Sequence, residues 1–89
     1  MPHIAFTTHL ENRVDCPARV VPGKTVRAVL DAAFEGNERA LAYVLDEQGA
    51  LRRHMVIFVN GRAVKDRTTL LDTVADDAEV YVMQALSGG

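Results

Sequence analysis

The sequence closes on Gly88-Gly89, and these two residues carry its clearest chemical possibility. A free C-terminal carboxyl has an ordinary pKa of about 3.3 to 3.7, so it is ionised at neutral pH. Such a carboxylate can attack the α-phosphate of a nucleotide and become an acyl adenylate. Glycines lack Cβ atoms, so the backbone before it can approach another protein or a phosphate closely. The segment from Ala85 to Gly89 spans roughly 17 Å when extended, enough to thread a narrow tunnel. The other reading is a fraying end, where small residues are common. Residue types alone leave both open, so the elements behind the tail must decide.

No other cluster competes for catalysis. His3, His9 and His54 have no metal-ligand spacing with Cys16 or with the carboxylates, so no metal site is expected. Asp76, Asp77 and Glu79 form an acidic turn with nothing to enclose it and shift a pKa. No Ser/His/Asp arrangement and no phosphate-cradling glycine loop is present. Cys16 is the only cysteine, which excludes an internal disulfide framework. It reads as a small half-buried hydrophobe or as a reactive thiol, with Arg13 and Arg19 the nearby cations. Arg52, Arg53 and His54 form a basic cluster, read either as a solvated strand start or as a docking point for an acidic partner surface. Arg53 is the candidate carried forward.

The composition narrows the class. A chain of 89 residues is one domain with one small core. It buries roughly 60 to 65% of its unfolded surface, which leaves little room for an internal catalytic cleft. The formal net charge of −2 and pI near 5.8 argue against general nucleic-acid binding. No apolar run has the length of a membrane span, and no signal-type apolar stretch follows Met1-Pro2-His3. A cytoplasmic protein is expected.

The elements that must hold the tail follow from periodicity. Ile4 and Phe6, with Thr8 as an extension, alternate with His3, Ala5 and Thr7 as a first strand. Glu11-Asn12-Arg13 is a polar break, and a second strand runs over Ala18 to Val21, so an N-terminal hairpin is expected. Thr25 is a helix N-cap, and Val26, Val29, Leu30 and Ala33 are its buried stripe. Gly36 ends that helix. A shorter helix starts at Asn37, with Leu41, Val44 and Leu45 inward, and closes at Gln48-Gly49.

His54 to Val59 is the strongest strand signal. Asn60-Gly61 after it demands a two-residue turn, and Arg62 to Val64 is the return. Leu70 and Leu71 plug the core. Asp76-Asp77 turns the chain into a last strand, Glu79 to Met83. There Val80 and Val82 face one side, Tyr81 and Met83 the other. The order β-β-α-(α)-β-β-β is an α+β roll: a mixed sheet, one main helix across one face, and a second short helix. Nothing in the sequence covers the opposite sheet face, which is the natural place for a protein partner. The domain is expected over residues 1–84, with a tail over 85–89.

At this point the sequence resembles a family, the β-grasp, ubiquitin-like sulfur carriers. Three stretches carry the likeness: Leu45-Asp46-Glu47-Gln48-Gly49-Ala50-Leu51-Arg52-Arg53 running into Ile57-Phe58-Val59-Asn60-Gly61, then Asp77-Ala78-Glu79-Val80, and finally Ala85-Leu86-Ser87-Gly88-Gly89. Members include the small subunit of molybdopterin synthase, the thiamin sulfur carrier and the carrier of a thiocarboxylate-dependent cysteine pathway. The stretch from Leu45 to Gly61 is most like the cysteine-pathway carriers. Two departures stand out. Asp76-Asp77-Ala78-Glu79 replaces a common Asp-Gly-Asp-Glu, and Gln84-Ala85 stands where many molybdopterin synthase subunits have prolines.

The resemblance implies a carrier and not an enzyme, with no catalytic residue and no bound cofactor of its own. An adenylating enzyme similar to ubiquitin-activating enzymes would use ATP and Mg²⁺ to adenylate Gly89. A sulfurtransferase or other persulfide donor would convert it to a thiocarboxylate, and a sulfur-accepting synthase would take the sulfur for cofactor or cysteine biosynthesis. Leu86, Ser87 and Gly88 would thread the tunnel. Met83 stands where molybdopterin synthase subunits carry an exposed apolar residue, and Tyr81 and Arg53 would join it in partner binding. Two other functions use the same fold: a modifier conjugated through Gly89, and a non-covalent β-grasp interaction domain.

Overall fold

The computed structural model describes residues 1–14 and 17–84. Cys16 and the tail residues Leu86, Ser87, Gly88 and Gly89 lie outside the described residues. Eight elements follow in order: β1 (His3–Phe6), α1 (Thr8–Val14), β2 (Arg19–Val20), α2 (Val26–Ala33), α3 (Glu38–Val44), β3 (Met55–Val59), β4 (Arg62–Ala63) and β5 (Glu79–Gln84). The strands form one mixed sheet in the order β2-β1-β5-β3-β4. β1 runs parallel to β5, and the other pairs are antiparallel. This is the expected β-grasp roll.

Burial alternates as the sequence period requires. Ile4, Phe6, Ile57, Val80 and Val82 point inward and are buried, and α2 lays Val26, Val29, Leu30 and Ala33 onto the same core. Thr25 caps α2 by accepting from the Ala28 N–H at 3.2 Å. Asn37 caps α3 by accepting from the Ala40 N–H at 3.2 Å. Phe34, just beyond α2, meets Phe6 with ring centroids 5.6 Å apart. Asn60 and Gly61 take φ of 51° and 83°, the two positive values that a type I′ turn needs. The Asn60 carboxamide then accepts from the Glu79 N–H at 2.9 Å, which ties this turn to the start of β5.

Helix α3 stops at Val44, with Leu45 already extended, and does not run on to the expected close at Gln48-Gly49. Three further expectations are corrected. The first two strands do pair, with His3 opposite Val20 and Ile4 opposite Arg19, but they are not a simple hairpin. Helix α1 stands between them, over the supposed polar break and over Thr8. The Thr7 hydroxyl accepts from the Leu10 N–H at 3.3 Å, and Leu10 is fully buried. Capping plus one deep apolar anchor makes a helix of seven residues that has too few apolar positions to show a period.

Leu71 does not enter the core. It is 59% exposed, while Leu70 is fully buried at φ 58°. The loop around them is fixed by two carboxylates. Asp66 accepts from the N–H groups of Thr68, Thr69 and Leu71 and from the Thr69 hydroxyl. Asp72 accepts from Lys65 N–H and Asp66 N–H, both at 3.0 Å. This clamp presents one leucine inward and turns the next one out. The third correction is at the return strand, which is two residues long and not three, although Val64 N–H still bonds the Ile57 carbonyl.

Two outcomes are expected from this packing. Ile57→Ala removes a fully buried side chain and should lower unfolding free energy by about 2 to 5 kcal/mol in urea denaturation. The second concerns Asp66. Its hydrogen bonds, that from the Thr69 hydroxyl first, hold its carboxyl well below the usual carboxylate range. A depressed folded pKa gives stability that is present above the unfolded value, about 3.9, and is lost as pH falls below it. Asp66→Asn should therefore melt lower than the parent at neutral pH. Its melting temperature should also fall less steeply below about pH 4, read by thermal scans at stepped pH.

Candidate functional site

The root of the tail is the end of β5, an interior strand of the sheet. β5 lies between β1 and β3 and is hydrogen-bonded on both sides. On one side Ala5 stands opposite Tyr81 and Phe6 opposite Val82. On the other, Phe58 stands opposite Tyr81, Val56 opposite Met83 and Met55 opposite Gln84. The pairing on both edges reaches Val82, and beyond it Met83 and Gln84 are held by β3 alone, so the position and direction of Gln84 are set by its pairing with Met55. Whatever follows Gln84 starts from a fixed point.

The same register assembles one surface. Residues directly opposite share a sheet face. Ala5, Tyr81, Phe58, Val56 and Met83 therefore lie side by side on the face turned away from α2. Tyr81 is exposed, while Ala5, Val56, Phe58 and Met83 are half-buried. Val20, at the β2 edge, is 55% exposed, but it stands opposite His3 and not beside this band. The structure thus places Tyr81 and Met83 together, on the face expected. Phe58, Val56 and Ala5 were not singled out in the sequence. The alternation of β3 holds the signal for two of them, since residues between the buried Met55, Ile57 and the inward end of the strand must face outward.

Arg53 is exposed in the turn before β3, but it does not line the hollow at the tail root. That hollow is a cleft of about 360 Å³ lined by Ala42, Tyr43, Arg52, His54, Met55 and Gln84. The Tyr43 hydroxyl, from α3, donates to the Gln84 carboxamide oxygen at 3.4 Å. Arg52 Nε donates to the Ala42 carbonyl at 2.9 Å, which draws the turn against α3. The turn geometry sends Arg52 and His54 to the root and leaves Arg53 beside them. Tyr43 carries no local signal of this role, because only the tertiary packing of α3 brings it to β5.

Two further turns shape the region. Asp46 accepts from Gln48 N–H at 2.8 Å and Ala50 N–H at 3.0 Å, closing the loop after α3. Arg27 reaches from α2 to donate to the Gly49 carbonyl at 2.6 Å and to the Thr69 carbonyl at 3.3 Å. Gly49 takes a φ of 82°, a conformation that side chains rarely adopt, and a Cβ there would also lie 3.0 Å from that guanidinium. Among the described residues there is no group of three or more metal-ligating side chains and no helix long and apolar enough to cross a membrane.

The comparisons fit this arrangement. The chain has the fold of CysO in the Amycolatopsis orientalis BexX/CysO complex, at 20% identity, with all of both chains covered and a TM-score of 0.82. It superposes likewise on Mycobacterium tuberculosis CysO, at 21% identity over 97% of this chain and 100% of that one, with a TM-score of 0.80. SAMP1 from Haloferax volcanii follows at 23% identity over 99% and 98%, with a TM-score of 0.75. No curated protein sequence matches the chain. The family model for the ThiS family matches residues 16–89, most of the length and the whole of the tail. The chain therefore belongs to the ThiS family of β-grasp, ubiquitin-like sulfur carriers.

Proposed function

We propose that this protein is a sulfur carrier whose Gly89 carboxylate is adenylated and then converted to a thiocarboxylate. The observation that carries the reading is the reach of the ThiS match, which runs through Gly88-Gly89 itself. The rigid root at Gln84 supports it, because a threaded tail needs a fixed base. Most of the chemistry belongs to partners. A carboxylate oxygen of Gly89 attacks the α-phosphorus of ATP, held with Mg²⁺ by an adenylating enzyme, and pyrophosphate leaves. A persulfide sulfur then attacks the acyl carbon and AMP leaves. A second thiol cleaves the resulting acyl disulfide and frees the thiocarboxylate. A sulfur-accepting synthase of cofactor or cysteine biosynthesis takes the sulfur.

In this reading Leu86, Ser87 and Gly88 pass through the enzyme's tunnel, with the small residues nearest the reacting carbon. The apolar band of Tyr81, Met83, Phe58 and Val56 docks on the partner, and Arg53, exposed in the turn before β3, joins it in binding. Exposed aromatic residues set among apolar neighbours are the usual anchors of such contacts. The reaction cycle suits the cytoplasm, where ATP is available.

The decisive measurement is intact mass after incubation with the cognate adenylating enzyme, ATP and a sulfur source. Exchange of one oxygen for sulfur at Gly89 is expected, and none after Gly88-Gly89 is deleted. Ladders of conjugates to lysines in cell extract, with no thiocarboxylate, would instead identify a modifier. The docking face has its own test. Tyr81→Glu should raise the carrier's KM in adenylation by ~10-fold or more. Its melting temperature should stay near that of the parent, because Tyr81 is 41% exposed.

A further inference from the structure

Three arginines and a histidine gather near the tail root, and among the described residues none of them is in an ion pair. Arg52, Arg53 and His54 are exposed in the turn that enters β3. The next residue, Met55, stands opposite Gln84. Arg67 joins from the loop after β4, where its Nη2 donates to the Arg52 carbonyl at 2.9 Å. Arg52 is itself oriented by the bond from its Nε to the Ala42 carbonyl. Both arginines are thus held by neutral carbonyls, which aim a guanidinium without cancelling its charge. Among the described residues the one ion pair joins the Met1 amino group to Asp76. The whole chain carries −2, so general basicity does not explain the cluster.

The cleft between these groups has a distinct chemistry. Ala42, Met55 and the Tyr43 ring give it apolar walls, and Arg52 and His54 stand over them. Such a hollow fits a short aliphatic stem that ends in a carboxylate. A guanidinium with its Nε engaged still offers Nη donors to that carboxylate, and it stays charged at any working pH.

We propose that this cleft is a docking point for an acidic segment of the adenylating partner, one that presents an aspartate or glutamate to Arg52 beside the mouth of its tail tunnel. The proposal rests on the carrier reading above. Distance selects a protein carboxylate over the nucleotide. The extended tail spans roughly 17 Å, so a nucleotide that reacts at Gly89 lies about that far from Gln84. The cleft faces what surrounds the tail where it enters, not what waits at its end. Opposite charges there steer encounter and set register as the tail threads.

The test measures carrier-dependent ATP–pyrophosphate exchange by the cognate adenylating enzyme, using the full chain. Arg52→Glu is expected to raise the carrier's KM by ~10-fold, to leave kcat little changed and to weaken the dependence of KM on salt. His54→Glu, on an exposed residue outside any strand, repeats the test should Arg52→Glu fail to fold. Lys24→Glu makes the same charge change at the opening of α2 and is expected to leave KM within about twofold. Exchange that ignores Arg52 and His54, or that responds equally to Lys24, overturns the proposal and leaves the carrier reading standing. So does ATP binding by the carrier alone that Arg52→Glu abolishes, since the cleft would then be a nucleotide site. No exchange by the parent chain removes the carrier reading and the cleft with it.

Discussion

Everything in this molecule hangs on the pairing of its first strand with its last. β1 and β5 run parallel, so the chain between them must cross over, and α2 lies in that crossover. The pairing puts β5 in the interior of the sheet, where both of its edges are satisfied. It also sets Ile4 and Phe6 beside Val80 and Val82 as the floor on which α2 packs. The two short strands at the sheet edges, β2 and β4, add little to that floor. They cap the edges of a structure whose centre is already determined.

The same constraint separates two jobs on one strand. Alternate residues of β5 face opposite ways, so Val80 and Val82 hold the core while Tyr81 and Met83 stay available outside. A carrier can therefore vary its outer face without disturbing its interior.

Most of this was legible in the residues, for reasons that can be named. Met55 to Val59 shows its period directly, and Asn60-Gly61 admits few alternatives to a tight turn. Thr25 and Asn37 announce their helices by side-chain chemistry that acts over three residues. The failures all depend on distant contacts. Helix α1 exists because Leu10 finds a place in the core, and its two apolar residues, Leu10 and Val14, are too few to establish a period. Leu70 and Leu71 look equivalent in sequence, and only the Asp66 clamp tells them apart. At the site, the outward set of β5 was visible, but Tyr43 and the cleft were not. Their meeting requires α3, the turn before β3 and the end of β5 to come from three separate parts of the chain. Arg52, Arg53 and His54 are equivalent candidates in the sequence, and only the turn's geometry shows that Arg52 and His54 line the hollow.

The central place of β5 also bears on how the protein is made. A ribosome releases this strand after every other element, yet the sheet cannot close without it. Until then β1 and β3 lack their shared neighbour, and their apolar faces stay open. Non-local pairing of this kind is slow to form and exposed to aggregation while it waits. A nascent or truncated chain would thus present neither a closed core nor an anchored tail. Closure of the core and formation of the strand from which the tail departs thus become a single event.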